Sequence, residues 1–138
     1  MIRDLFSSTK YIEKGLDASW TRNQVISNNI ANAETPNFKS SRVEFEDAFR
    51  RALNADENSF ETKKTRPQHR DFSSTPDLDS VRATVVKNDE SSMRMDGNNV
   101  DIDKENVELA KNTFYYYTLV AKLNSEFTKL RSAIREGR

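Results

Sequence analysis

The side chains able to do chemistry in this 138-residue chain are few and scattered. His69 is the single histidine, and no cysteine is present, so thiolate nucleophiles, disulfides and zinc–sulfur sites are excluded. His69 stands in the polar middle beside Arg70, where a solvated surface histidine is a better reading than a catalytic base or a metal ligand. The densest oxygen-rich segment is Asp96-Gly97-Asn98-Asn99-Val100-Asp101-Ile102-Asp103. It lacks the order of a calcium loop, in which glycine follows three alternating oxygen ligands and a glutamate closes the site. A sharp turn followed by a capped helix explains it better. The expectation is therefore a non-enzyme with no catalytic, metal or cofactor site.

The elements on either side of these residues carry more information. Ile2, Leu5, Thr9, Ile12, Leu16, Ser19, Asn23, Ile26 and Ile30 repeat at 3,4 spacing, the rhythm of a helix seam seeking a partner helix. Phe6 and Trp20 widen the stripe, and the spacing predicts one helix over about residues 5–32, with Gly15 its weak point. Leu109, Thr113, Tyr116, Val120, Leu123, Phe127, Leu130 and Ile134 keep the same rhythm near the other end. A second helix is expected over 104–135, with Asp103 as N-cap and Glu105 near the positive end of its dipole.

The middle is different material. Val43, Phe45, Phe49 and Leu53 suit a short helix over 43–53, residues 54–80 read as flexible, and 81–86 has strand composition. Three units follow: an assembly helix with its motif over 1–35, a variable middle over 36–102, and a second assembly helix over 103–138. The fold class is mainly α. Two long terminal helices with heptad-like seams form a hairpin or coiled coil, joined by a largely irregular middle with at most a short β element.

Composition narrows the function classes. Hydrophobic residues make up 35% and charged residues 32%, so apolar side chains must be concentrated in a few places. Lysine plus arginine balances aspartate plus glutamate at 22 each, which gives no general pull toward nucleic acid. No apolar run approaches the length of a membrane span, and Met1 to Ser7 carries no secretory apolar region. The mixed charges of the helices also argue against a membrane-surface helix. Phe114-Tyr115-Tyr116-Tyr117 is the notable apolar feature. Four successive helical residues, each turned by about 100°, cannot share one face. Either neighbours pack this helix on several sides, or the tyrosines tolerate water through their hydroxyls.

The first helix closes on Asn28-Asn29-Ile30-Ala31-Asn32-Ala33-Glu34-Thr35-Pro36-Asn37-Phe38-Lys39. Proline stops the helix, and the asparagine amides can reach its last carbonyls. The stretch is more elaborate than a helix stop requires. It resembles the signature of flagellar axial proteins, the rod and hook family. The run from Glu34 through Phe45-Glu46-Asp47-Ala48-Phe49 is most similar to the proximal rod subunits. So are Gly97 to Glu105, Leu109-Ala110-Lys111-Asn112 and Lys129 to Ile134. Asn106 departs from the methionine more usual in that family.

The resemblance implies a structural subunit that self-assembles through its terminal helices into the proximal rod. The implied interface comprises Leu5, Ile12, Leu16, Ile26 and Ile30 of the first helix, with Asn28, Asn29 and Asn32 of the motif. Leu109, Tyr116, Val120, Leu123, Phe127, Leu130 and Ile134 supply the second helix. Implied partners are copies of itself, other rod subunits, the MS ring and its adaptor, and the flagellar type III export apparatus. Neither nucleic-acid binding nor membrane insertion is implied. The implied location is the periplasmic rod of the basal body, reached without a cleaved signal peptide. Phe45 and Phe49 match in form a Phe-x-x-x-apolar export-gate motif, although i,i+4 packing on one helix explains them nearly as well. The alternative from another class is a cytosolic coiled-coil adaptor or chaperone-like binding module.

Overall fold

The computed structural model describes residues 2–57, 78–89 and 94–136. Helix α1, Ile2–Ala31, and helix α2, Glu46–Glu57, flank strand β1, Ser41–Glu44. A single 3-10 turn at Leu78–Ser80 precedes strand β2, Thr84–Lys87, and helix α3, Ile102–Glu136, completes the fold. The chain is mainly helical, with two long helices at its ends and a small two-stranded sheet between them, as the sequence leads one to expect.

Helices α1 and α3 form an antiparallel hairpin. Asn29 near the end of α1 meets Glu105 at the start of α3, and Ser19 meets Asn112 one segment further along. Gly15 then faces Leu119: a Cβ added at Gly15 would lie 3.1 Å from the Leu119 Cδ1. The lack of a side chain there sets how closely the two helices approach.

The seam of α1 runs as its spacing indicates, with Ile12, Ser19 and Ile26 buried and Leu16, Asn23 and Ile30 half-buried. The side chains of Ile2, Leu5 and Phe6 lie outside the described residues. Trp20 is 62% exposed, so it sits off the stripe that it was expected to widen. In α3 the seam shares Leu109, Leu123 and Leu130 with expectation, all half-buried. Its second heptad column is Glu105, Asn112, Leu119 and Glu126, in place of the Thr113, Val120, Phe127 and Ile134 column. Thr113, Tyr116, Phe127 and Ile134 are exposed, and Val120 is half-buried at the flank. An apolar count favours Phe127 and Ile134; a specific polar pairing at Asn112 wins instead.

The short helix expected over 43–53 divides into strand and helix. Val43 lies in β1, and the Phe45 carbonyl accepts the Phe49 N–H at 3.0 Å, opening α2. Glu46 and Asp47 occupy the first turn, where the helix dipole favours carboxylates. The strand expected over 81–86 forms at Thr84–Lys87 and pairs antiparallel with β1, from Ser41 opposite Lys87 to Glu44 opposite Thr84. Val43, in β1, is a β-favouring residue that a search for helical spacing absorbs. Of the segment read as flexible, 54–57 is helical and 78–80 is a 3-10 turn; 58–77 lies outside the described residues.

A small core fills the space between α1, α2 and the sheet. Ala18, Phe45, Ala52 and Val81 are buried together, with Val43, Ala48, Phe49, Leu78 and Ala83 packed round them. The rings of Phe45 and Phe49 stack at 5.0 Å, and Tyr11 of α1 meets Phe49 edge-on at 6.3 Å. Lys10 and Lys14 of α1 reach the Asp79 carboxylate and carbonyl respectively. Helix α1 is therefore covered on two flanks, by α3 and by the α2–sheet unit.

Candidate functional site

The asparagine motif and the loop before α3 meet at one end of the hairpin. Three asparagines do most of the work, each replacing a backbone partner that the turn cannot supply. Asn98 is fully buried, and its Nδ2 donates to the carbonyls of Asn32, Ala33 and Thr35 at 2.9, 3.0 and 3.0 Å. Those are carbonyls at and beyond the end of α1, and a helix cannot satisfy its last four internally. The Asn98 Oδ1 in turn accepts the Val100 N–H at 2.7 Å. Arg94 adds a donor to the Ala33 carbonyl at 3.1 Å and pairs with Asp96. So the principal C-cap of α1 comes from a residue 66 positions away from Asn32.

Asn29, 1% exposed, acts as a one-residue strand beside β1. Its Nδ2 donates to the Ser41 carbonyl at 2.8 Å, and its Oδ1 accepts the Ser41 N–H at 3.0 Å. The same amide nitrogen donates to the Glu105 carboxylate at 3.1 Å, joining α1, β1 and α3 at one point. Asn99 ties the other side: its Oδ1 accepts the Ser40 N–H at 2.7 Å and its Nδ2 donates to the Asn88 carbonyl at 2.8 Å. Within the motif, Asn32 donates to the Asn28 carbonyl at 2.8 Å, as a local cap should. Asn28 itself is exposed.

Two positive-φ residues let the loops approach. Asn37 adopts φ 60° and its N–H donates to the Asp96 carbonyl at 2.8 Å. Gly97 adopts φ 76°, and a Cβ there would fall 2.7 Å from Asn37 Oδ1. The positive φ favours glycine, and any Cβ there would force the Asn37 side chain to turn away. Helix α3 starts two residues earlier than expected, and its cap is Asp101 rather than Asp103. The Asp101 Oδ1 accepts the N–H groups of Asp103 and Lys104 at 3.1 and 3.2 Å. This is the segment that superficially suggested calcium, with its oxygens committed to turn and cap.

Electrostatics at the junction pull in opposite directions. Burial pushes the Glu105 carboxyl above its usual range, and Glu108 and Asp101 add to this, while the Asn29 hydrogen bond and Lys104 only partly compensate. Burial also raises Glu46, but its hydrogen bond and charge pairing with Arg22 and nearby backbone N–H groups outweigh that and leave it lowered. Among the described residues, no group of three or more histidine or acidic side chains is placed to hold a metal ion. His69 lies outside the described residues. No described helix is long and apolar enough to cross a membrane.

The residues expected to form an assembly interface divide into two sets. Ile12, Ile26 and Asn29 are buried inside the subunit, and Leu16, Ile30, Asn32, Leu109, Val120, Leu123 and Leu130 are half-buried at its seams. Asn28, Tyr116, Phe127 and Ile134 face solvent. Phe45 is buried and Phe49 half-buried in the small core. Residues the sequence reading missed are Asn98, Asn99, Asn112 and Asp101. For Asn98, Asn99 and Asp101 a signal is present in retrospect, as asparagine and aspartate concentrated just before the start of α3; Asn112, inside that helix, has none.

The comparisons with known proteins agree with this architecture. The family model described as flagella basal body rod protein matches residues 14–39, which carry α1 from Lys14 through the asparagine turn. The chain is 38% identical to the flagellar basal body rod protein FlgB of Bacillus subtilis (strain 168), over 97% of this chain and 98% of that protein. It is 35% identical to FlgB of Borreliella burgdorferi over 86% of this chain and 88% of the relative. It is 28% identical to FlgB of Yersinia enterocolitica over 99% of this chain and the whole of that protein. These relatives lend no support to the cytosolic adaptor reading. The chain belongs to the FlgB family of flagellar basal body rod proteins, and is a structural subunit of that rod.

Proposed function

We propose that the chain builds the proximal part of the rod, with its hairpin as the repeating unit of a tube of subunits. The observation that carries this is the state of α3 in the single chain. Phe114, Tyr115, Tyr116 and Tyr117 are all exposed, at 77, 45, 38 and 67%. An apolar surface of this size on an isolated subunit is what a helix packed by neighbours presents. Tyr116, Phe127, Ile134 and Asn28 would then serve contacts between subunits. Ile12, Ile26, Asn29, Leu123 and Leu130 would serve assembly indirectly, by holding the hairpin.

The proposed partners are other copies, other rod subunits, the MS ring and its adaptor, and the type III export apparatus. The structure contributes one constraint to the export proposal. Phe45 and Phe49 pack in the subunit core, so a gate that reads these rings must read them before the subunit folds. Burial of the outer aromatics on incorporation would then couple ordering to assembly.

Deletion of the gene followed by imaging of purified basal bodies tests the assignment. Rings without a rod, in non-motile cells that swim again on complementation, are expected. Intact rods with normal swimming would refute it.

A further inference from the structure

The outer side of α3 carries a second stripe that the hairpin does not use. Val107, Ala110, Phe114, Tyr117 and Ala121 repeat at 3,4 spacing, and all five are exposed. Phe114 lies two residues from the buried Asn112, about 200° round the helix, so this stripe is diametrically opposed to the seam with α1. Ala110 and Ala121 are the small positions on either side of its two rings, Phe114 and Tyr117. Exposed Lys111, Thr118 and Lys122 border one edge.

Helix α1 has a complementary free flank. Its other two sides are occupied by α3 and by the α2–sheet unit, while Glu13, Asp17, Trp20 and Gln24 are exposed. Those four share one face at helical spacing: two carboxylates beside one large ring that is 62% exposed. The α3 stripe offers apolar ridges beside ammonium groups; the α1 flank offers an apolar knob beside carboxylates.

We propose that the α3 outer stripe of one copy receives the α1 outer flank of a second copy, with Trp20 seated between Phe114, Tyr117 and Ala121. With the two helices antiparallel, Asp17 then faces Lys122, whereas Lys111, paired with Glu108 on its own helix, lies on the far side of the rings. The two surfaces are different patches of one chain, so the contact is head-to-tail and propagates instead of closing into a symmetric pair. This rests on the rod reading above and assigns it a specific interface. Hydrophobic burial supplies the attraction, and the Asp17–Lys122 pair favours one register.

The full chain contains no cysteine, which makes directed crosslinking clean. Purified Asp17→Cys and Tyr117→Cys chains are mixed and oxidised, with Arg82→Cys plus Tyr117→Cys as control. Heterodimer above both the homodimers and the control is expected; none above the control overturns the proposal. In cells, Phe114→Glu/Tyr117→Glu should retain the helical circular dichroism of the purified chain and be lost from basal bodies. Incorporation at wild-type level overturns the interface. Asp17→Lys should also lose incorporation and regain it when Lys122→Glu is added; failure of that rescue overturns the charge pairing. If purified chains crosslink as expected while the native chain is absent from rods, the rod assignment falls and this interface stands. The converse result sinks the interface alone.

Discussion

Ser19 and Asn112 exchange two hydrogen bonds across the hairpin, the hydroxyl donating to Asn112 Oδ1 at 3.1 Å and Nδ2 donating to the Ser19 carbonyl at 2.9 Å. Both side chains are almost wholly out of water. A buried polar pair of this kind selects one register between two helices, because any slip strands its groups without partners. Among the described residues no buried side-chain nitrogen or oxygen lacks a partner.

Asn112→Ala should therefore cost about 1–3 kcal/mol, since it leaves the Ser19 groups unsatisfied. Ser19→Ala/Asn112→Leu should cost clearly less than the sum of Ser19→Ala and Asn112→Leu alone, because the hydroxyl and the amide oxygen that would otherwise be orphaned are removed together. Urea unfolding of the four chains measures this. Strict additivity would show that the two residues do not act as a pair.

Asn98→Asp should be worse than Asn98→Ala. Alanine removes the donors from three carbonyls, whereas aspartate places a buried carboxylate against them, a change of several kcal/mol. Thermal unfolding gives the ranking, and hydrogen exchange should show the loss concentrated around Asn32 to Phe38. Equal Tm values for the two variants would contradict the capping role.

Gly97→Ala should destabilise by about 1–2 kcal/mol from the left-handed backbone alone, and further from the Asn37 contact. Asn37→Gly in the same chain would relieve the contact but not the φ penalty. Recovery of Tm beyond the gain that Asn37→Gly gives alone, by relaxing its own φ of 60°, is the expected result, and no excess would place the whole Gly97→Ala cost in the backbone.

Glu105 gives a pH signature with a definite sign. Its carboxyl is raised in the folded chain, so the folded state carries a penalty while Glu105 is ionised. The penalty is complete above the folded pKa and disappears below the ordinary value of 4.5. Glu105→Gln keeps an acceptor for Asn29 and should stabilise at pH 7 by less than about 1 kcal/mol, given the part-exposed site. That gain should vanish by pH 4. Glu46 has the opposite sign: its lowered pKa contributes stability above 4.5 that is lost as pH falls. A pH-independent gain for Glu105→Gln would mean burial is not the cause.

Two helices, their approximate extents, the end of α1 shortly before Pro36 and the family resemblance were determined by the sequence alone, because they rest on local spacing and local turn chemistry. The apolar seam of α1 is legible for the same reason. Which column of α3 faces α1 was decided only by tertiary structure. Leu109, Leu123 and Leu130 fit either register, and Asn112 is a poor seam residue until Ser19 stands opposite it. The sheet was equally hidden, since β1 and β2 are four residues each and stable only against one another, Asn29 and the Phe45 core. Asn98 shows the limit most plainly: it caps a helix that ended more than sixty residues earlier, and a partner at that distance is brought near only by the folded chain.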